Sequence, residues 1–344
     1  MRFFPILPLL LAAALAGCQK SQPADPRLES PAALARDAAG RSLHKIFVNP
    51  EARALFPGLP LAPASPQDAA AGQSPSLWRQ LDRAQRFDAV LLAGQAGDYL
   101  ALARHLAESP DFRLARVDNW GLLFVRGLPA PYAPPAADAE KFSTPEARGV
   151  YLSQMALRLD AAGLMTAARD DMAAALAAAP NEPSVHTRAA ALALSRKRYP
   201  EALQETDRAL ALAPHDLAAL EVKARTLSAA GATNQAWNVA CELKDRAGDR
   251  DMNVLFLHAR LSNAAHAYQA EQHSLERLVE LAKQLGLPAA DYRVYLGQCY
   301  AKQGLARPAL EQLELALKDP NLTAEQRANV TTALETVRSR AGNL

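Results

Sequence analysis

The side chains able to do chemistry in this 344-residue chain are 3 cysteines, 7 histidines and 36 carboxylates, and their spacing matches few known arrangements. The sequence lacks a Gly-x-x-x-x-Gly-Lys loop to cradle phosphate, a His-Glu-x-x-His helix to hold zinc and a Gly-x-Ser-x-Gly turn to expose a nucleophile. We therefore expect no catalytic residues, no metal and no cofactor. His44, His105, His186, His215, His258, His266 and His273 are scattered. His258 and His266 are the one pair that could share a helix face as metal ligands, and separate surface imidazoles are the simpler reading. Asp88 and Asp118 lie beside predicted strands, either as a carboxylate pair of the kind that acts on sugars or as strand-end and turn residues. Asp170-Asp171 and Arg196-Lys197-Arg198 read as solvated helix faces and turns.

Cys18 has a context of its own. Arg2 gives a positive start, Ile6 to Leu15 an apolar stretch, and Leu15-Ala16-Gly17 leads into the thiol, the layout of a cleaved export signal over 1–17. The apolar stretch is too short for the roughly 20 residues that cross a bilayer as a helix, and Pro5 and Pro8 weaken it further. Leu15 to Cys18 resembles the lipobox of bacterial lipoproteins. The resemblance implies that the Cys18 thiol receives a diacylglycerol, that cleavage falls just before it, and that the new amine is acylated. Gln19 beside it then implies sorting to the periplasmic face of an outer membrane. One acyl chain binds a membrane with a partition constant of only about 10⁴ M⁻¹, whereas two or three anchor a protein stably. An ordinary secretory signal, in which the cysteine has no role, is the alternative. Cys241 and Cys299 sit in apolar helical contexts and read as buried small hydrophobes.

The elements that must position these groups divide into two kinds. Half the residues are hydrophobic, so the chain can bury sizeable cores, and 38 Lys and Arg against 36 Asp and Glu leave no basic footprint for nucleic acid. Residues 18–40 are polar and rich in Ala and Pro, suiting an extended tether, and 129–146 reads as a Pro-rich linker. Between them, over 41–128, lies a small module with strand signals at Lys45–Val48, Phe87–Leu92, Arg113–Val117 and Leu122–Arg126, the last two flanking an Asp118-to-Gly121 hairpin turn. Helices are predicted for Leu77–Ala84 behind Ser76 and from Asp98 onward, and Pro57–Pro75 reads as loop. Over Phe87 to Arg126 this βαββ pattern resembles soluble α/β globules at the tails of some polytopic membrane glycosyltransferase-like proteins. That resemblance brings no catalytic residue with it and implies an accessory or docking module.

The second half is ordered by a repeat. Leu152, Met155, Ala156, Leu159, Ala168, Met172, Ala175 and Pro180 recur 34 positions on as His186, Ala189, Ala190, Ala193, Ala202, Thr206, Ala209 and Pro214. A third copy runs from Leu220 to Gly248 and another contains Leu296, Gly297, Tyr300, Ala309 and Leu313. These residues resemble the tetratricopeptide repeat in period and in the placement of Ala and Pro. The interval before the last copy requires a divergent helix pair, near Met252–Ala265 and Gln272–Leu285. Lys223 occupies a usually apolar place, where we expect local irregularity. Thr323 and Gln326 form a capping-box pattern before a final helix with a Val330, Ala333, Leu334 and Val337 stripe. The expected fold is mainly α, a tetratricopeptide-type α-solenoid of helical hairpins over 147–344, preceded by the small α/β module.

In such repeats the first helix of each hairpin lines a binding groove. The resemblance places Ser153, Leu157, Thr187, Ala191, Glu221, Arg225, Ser228 and Gln298 on that face. Of the positions where some members clamp a carboxylate, Ser153, Leu157, Arg188, Ala218 and Val222, only Arg188 has the chemistry. With 23 Lys and Arg against 22 Asp and Glu in 147–344, steering by net charge is weak. The expectation is a lipid-anchored envelope scaffold that binds a protein or peptide. A glycan-related protein, acting through the α/β module, is the other reading.

Overall fold

The computed structural model describes Ala35, residues 38–65, 67–93, 99–118, 121–128, Phe142, 144–320 and 322–341. The signal at 1–17, Cys18, and most of the 18–40 and 129–146 stretches lie outside the described residues. Two compact units divide the chain between Arg196 and Lys197.

In the first unit, strands β1 (Ile46–Val48), β2 (Ala89–Ala93), β3 (Phe112–Asp118) and β4 (Gly121–Arg126) form one sheet in the order β1-β2-β4-β3. β1 and β2 are parallel, and the other neighbours are antiparallel. Central β2 is buried along its whole length, which is why its sequence, Ala-Val-Leu-Leu-Ala, is apolar without alternation. Phe47, Val90, Leu92 and Phe124 face one apolar cluster, while Ile46, Val48, Leu91 and Leu123 face another. The β3–β4 hairpin forms where Asp118 to Gly121 predicts it. Gly121 itself is drawn into β4, where a Cβ would collide with the Leu92 carbonyl.

Helices α1 (Asp68–Gln73), α2 (Pro75–Gln85) and α3 (Leu100–Glu108) pack on the Phe47 and Phe124 face of this sheet. α1 corrects the expectation of loop throughout Pro57–Pro75: Asp68 accepts the Ser65 N–H at 3.1 Å, and the Ala69–Ala71 run continues the helix. α2 starts at Pro75 behind Ser74, earlier than Ser76 suggested, because Pro suits the first helical turn. The unit continues with α4 (Pro145–Ala161), α5 (Met165–Ala178) and α6 (Pro183–Ser195). The Thr144 hydroxyl caps α4 by accepting the Ala147 N–H at 3.2 Å. Tyr151, Met155, Leu159 and Met172 belong to the same apolar cluster as Trp78, Phe87, Leu106 and Phe112. The Pro-rich stretch at 129–146 therefore joins two parts of one core.

The second unit contains α7 (Tyr199–Leu212), α8 (Leu217–Ala229), α9 (Thr233–Ala247), α10 (Met252–Ala264), α11 (Tyr268–Gln284), α12 (Ala290–Lys302), α13 (Ala306–Leu317) and α14 (Ala324–Ala341). Its hairpins α8–α9, α10–α11 and α12–α13 follow the repeat read from the sequence, including the divergent pair, whose second helix starts at Tyr268 rather than Gln272. Lys223 causes no irregularity. Helix α8 runs unbroken past it, and the ammonium reaches Asp207 on α7 at 2.7 Å while the stem stays half-buried. The capping box of α14 is made in full, with Thr323 N–H donating to Gln326 Oε1 at 2.9 Å and Gln326 N–H to Thr323 Oγ1 at 3.1 Å. Val330, Leu334 and Val337 are buried as the stripe predicts. Among the described residues no helix is long and apolar enough to cross a membrane.

Among the buried ionisable groups, Asp171 and His258, one in each unit, have strongly shifted pKa values. Asp171 on α5 is 1% exposed, and among the described residues neither of its carboxylate oxygens has a hydrogen-bond partner. Burial, assisted by the charge of Asp170, raises its pKa to about 7. His258 on α10 is 5% exposed, with Nδ1 against Ser274 Oγ at 2.8 Å and Nε2 against Cys241 Sγ at 3.5 Å. Burial, with Lys244 second, lowers its pKa to about 4.

Three outcomes follow from this packing. A fragment starting at Thr144 loses the sheet side of its core, so it should bind a hydrophobic dye and melt at least about 5 °C below the full chain. An equal melting temperature would show the two parts to be energetically independent. The raised pKa of Asp171 means that its folded state is favoured below about pH 4 and loses stability as pH climbs through 7. Asp171→Ala should therefore gain on the order of 2–4 kcal/mol over the parent between pH 4 and pH 8, read from urea titrations at both pH values. His258 acts with the opposite sign, because a depressed pKa leaves stability intact above about 6.5 and removes it as pH falls through 4. His258→Gln should flatten that acid limb, and an unchanged slope would show that the imidazole does not titrate with unfolding.

Candidate protein-binding face

The expected groove residues of the first unit lie mostly inside it. Ser153 on α4 is 0% exposed and Thr187 on α6 is 3% exposed, a correction to their expected place on a surface. Their hydroxyls turn back on their own helices, Ser153 Oγ to the Val150 carbonyl at 2.7 Å and Thr187 Oγ1 to the Pro183 carbonyl at 3.0 Å. The seam between α4 and α6 is closed by Arg188, whose Nη1 donates to Ser153 Oγ at 3.3 Å and Ser184 Oγ at 3.1 Å. The one guanidinium that fitted a carboxylate clamp is thus spent internally. Leu157 and Ala191 are half-buried, Leu157 against the main cluster.

The second unit presents more chemistry. Asp216 and Asp251 cap α8 and α10 in the same way, each side chain accepting the next two free N–H groups at 2.9 to 3.4 Å. The shared cap fixes a shared register, so Phe256 and Arg260 on α10 stand where Glu221 and Arg225 stand on α8. Glu221 and Arg225 are half-buried and form an ion pair at 2.5 Å. Burial pushes the Glu221 carboxyl above the ordinary range, against the opposing pull of Arg225. Phe256 meets two rings of α12, Tyr292 with centroids 6.0 Å apart and Tyr295 at 5.6 Å. All three are half-buried, and burial, with Asp291 second, raises both tyrosine pKa values. Arg260 is exposed and makes no ion pair among the described residues. Partial desolvation, and the nearby Arg225 in the same sense, lower its pKa against the effect of Tyr295, yet a guanidinium stays charged at working pH. Ser228 and Gln298 are exposed.

Phe256, Arg260, Tyr292 and Tyr295 are absent from the sequence-derived face. The divergent pair interrupts the 34-residue spacing, so counting forward from the earlier copies skips α10. The signal that finds Phe256 and Arg260 is the second Asp cap, Asp251, which restarts the register on α10.

Other sequence candidates separate in space. The Asp88 carboxylate accepts the backbone N–H groups of His44 and Lys45 at 2.8 and 2.9 Å, a strand-end role. Asp118 pairs with Gly121 at the hairpin end, and its side chain lies outside the described part. His266 stands beyond the end of α10 beside Tyr268, so it shares no helix face with His258. Among the described residues no cluster of His, Cys, Asp and Glu could hold a metal ion. Cys299 is buried, its pKa pushed to about 12 by desolvation first and Glu271 second, and half-buried Cys241 is shifted the same way. Neither is an activated thiol.

No protein-family model and no curated protein sequence matches the chain. Solved structures do. YrrB, described as a TPR protein with an unusual peptide-binding site, is 14% identical over 54% of this chain and 92% of its own, with a TM-score of 0.44. TTC0263, a thermophilic TPR protein of Thermus thermophilus, is 19% identical over 54% of this chain and 98% of its own, with a TM-score of 0.40. PilF of Pseudomonas aeruginosa is 16% identical over 55% of this chain and 86% of its own, with a TM-score of 0.43.

Proposed function

We propose that the protein is a lipid-anchored scaffold of the bacterial cell envelope that binds a protein or peptide partner through the first helices of its repeats. The observation that carries this reading is the face built by α8, α10 and α12. Its half-buried rings pack against the core and keep part of their surface open, and the exposed guanidinium of Arg260 stands beside them on α10, whose N-terminus Asp251 caps. Cys18 supplies the anchor, after the export signal, and the 18–40 stretch spaces the folded part from the membrane. Gln19 favours the periplasmic face of an outer membrane. Partner capture rests on short-range contacts, since the near-balance of charge gives little long-range attraction. Assembly or localisation of an envelope complex is the corresponding work.

Two measurements test this reading. Cys18→Ser should release the protein from the membrane fraction or leave an uncleaved precursor, and a normally processed, membrane-bound variant would exclude the lipid anchor. A photo-crosslinking amino acid at Gln298 or Ser228 should trap a discrete adduct in intact cells, whereas the same group at Glu280, exposed on α11, should not. Equal adducts from all three positions, or none, would remove this face as the binding surface.

A further inference from the structure

On the face of the second unit, three rings and an uncompensated cation stand side by side. Phe256 crosses Tyr292 at 67° and Tyr295 at 59°, and the three rings pack against the core on one side while keeping part of their surface open, a stepped arrangement rather than a flat stack. One helical turn beyond Phe256, exposed Arg260 lies close enough to Tyr295 and to Arg225 of α8 to feel both. Glu221, a carboxylate beside them, is bonded to Arg225 at 2.5 Å on its own helix. Asp251 lies near Glu221, and Asp291 lies near the two tyrosines. Positive charge therefore concentrates at the Arg225 and Arg260 end of the face, and negative charge at the helix N-terminal end. Glu221 neutralises Arg225, which leaves Arg260, beside it, as the cation that a carboxylate arriving from outside can pair with.

We propose that this face is a docking subsite for a peptide segment in which an apolar side chain is followed by a carboxylate. The apolar side chain covers the rings of Phe256, Tyr292 and Tyr295, and the carboxylate pairs with Arg260. This rests on the protein-binding reading above and names the chemistry of the partner. The acidic groups Glu221, Asp251 and Asp291 repel a polyanion, so a single carboxylate beside an apolar group fits where a phosphate-rich ligand does not.

The test uses the full chain and fluorescence polarisation. The probes are fluorescein-labelled, C-terminally amidated octapeptide pools whose fixed central pair is Leu-Glu, Leu-Gln or Ser-Glu. The Leu-Glu pool should bind at least about tenfold more tightly than the other two, and added salt should weaken it most. Arg260→Gln should abolish the preference for Glu over Gln without changing the melting temperature, because the side chain is exposed. Arg260→Lys should keep part of the preference, since charge survives while the planar fork is lost. Equal affinity for the three pools, or a preference that survives Arg260→Gln, would overturn the subsite. If that happens while the adduct at Gln298 still forms, the subsite alone fails. If neither pool binding nor adduct is seen, the protein-binding reading fails with it.

Discussion

The fold depends on how closely the two helices of a hairpin can approach. Ala168 in the first unit and Ala236 and Ala309 in the second, each early in the second helix of its hairpin, are 0% exposed. At the facing place in the last hairpin stands Gly297, where a Cβ would sit 2.9 Å from Leu313 Cγ and 3.1 Å from the Ala309 carbonyl. Backbones that near exclude solvent without large side chains, which is how a chain with 6% aromatic residues builds a dry core. The divergent hairpin places Glu271 where the others have Ala, and it is 3% exposed. Its carboxylate accepts the Asn263 amide at 2.6 Å and lies 3.8 Å from Lys302. Around it the seam is hydrogen-bonded instead of apolar, with His258 on Ser274 and Trp237 Nε1 donating to Ser262 Oγ at 3.1 Å. These partners offset the desolvation of Glu271, whereas Asp171 has none among the described residues and is held toward its neutral form.

That seam also separates structural from functional surface. Because small residues hold the hairpins together, the outward positions of the first helices are only partly used in packing, as Phe256, Tyr292 and Tyr295 are at the edge of their core. In the first unit they are closed off, with Arg188 turned inward onto Ser153 and with α4 sharing the core of the sheet. In the second unit the corresponding positions hold Glu221, Arg225, Phe256 and Arg260. The α/β module acts as part of the first hairpin's core, since its helices and sheet supply the apolar surface that an end hairpin lacks.

Much of this architecture is written locally along the chain. The β3–β4 hairpin at Asp118 to Gly121, the capping box of Thr323 and Gln326 and the stripe of α14 depend on residues within a turn or two of one another, and the 34-residue period is a recurrence of such local patterns, so spacing alone reveals them. The tertiary structure decided which face of each helix is covered. Asp171 belongs to a short acidic run that looks solvated in sequence, and it is buried because neighbouring elements close over it. Ser153 and Thr187 occupy groove positions by count and are interior by packing. Phe256 and Arg260 fall out of the count and reach the face through a second Asp cap. Periodicity records the relation of a residue to its own helix, whereas burial is set by elements distant in sequence, and only their association determines which side chains remain free to meet a partner.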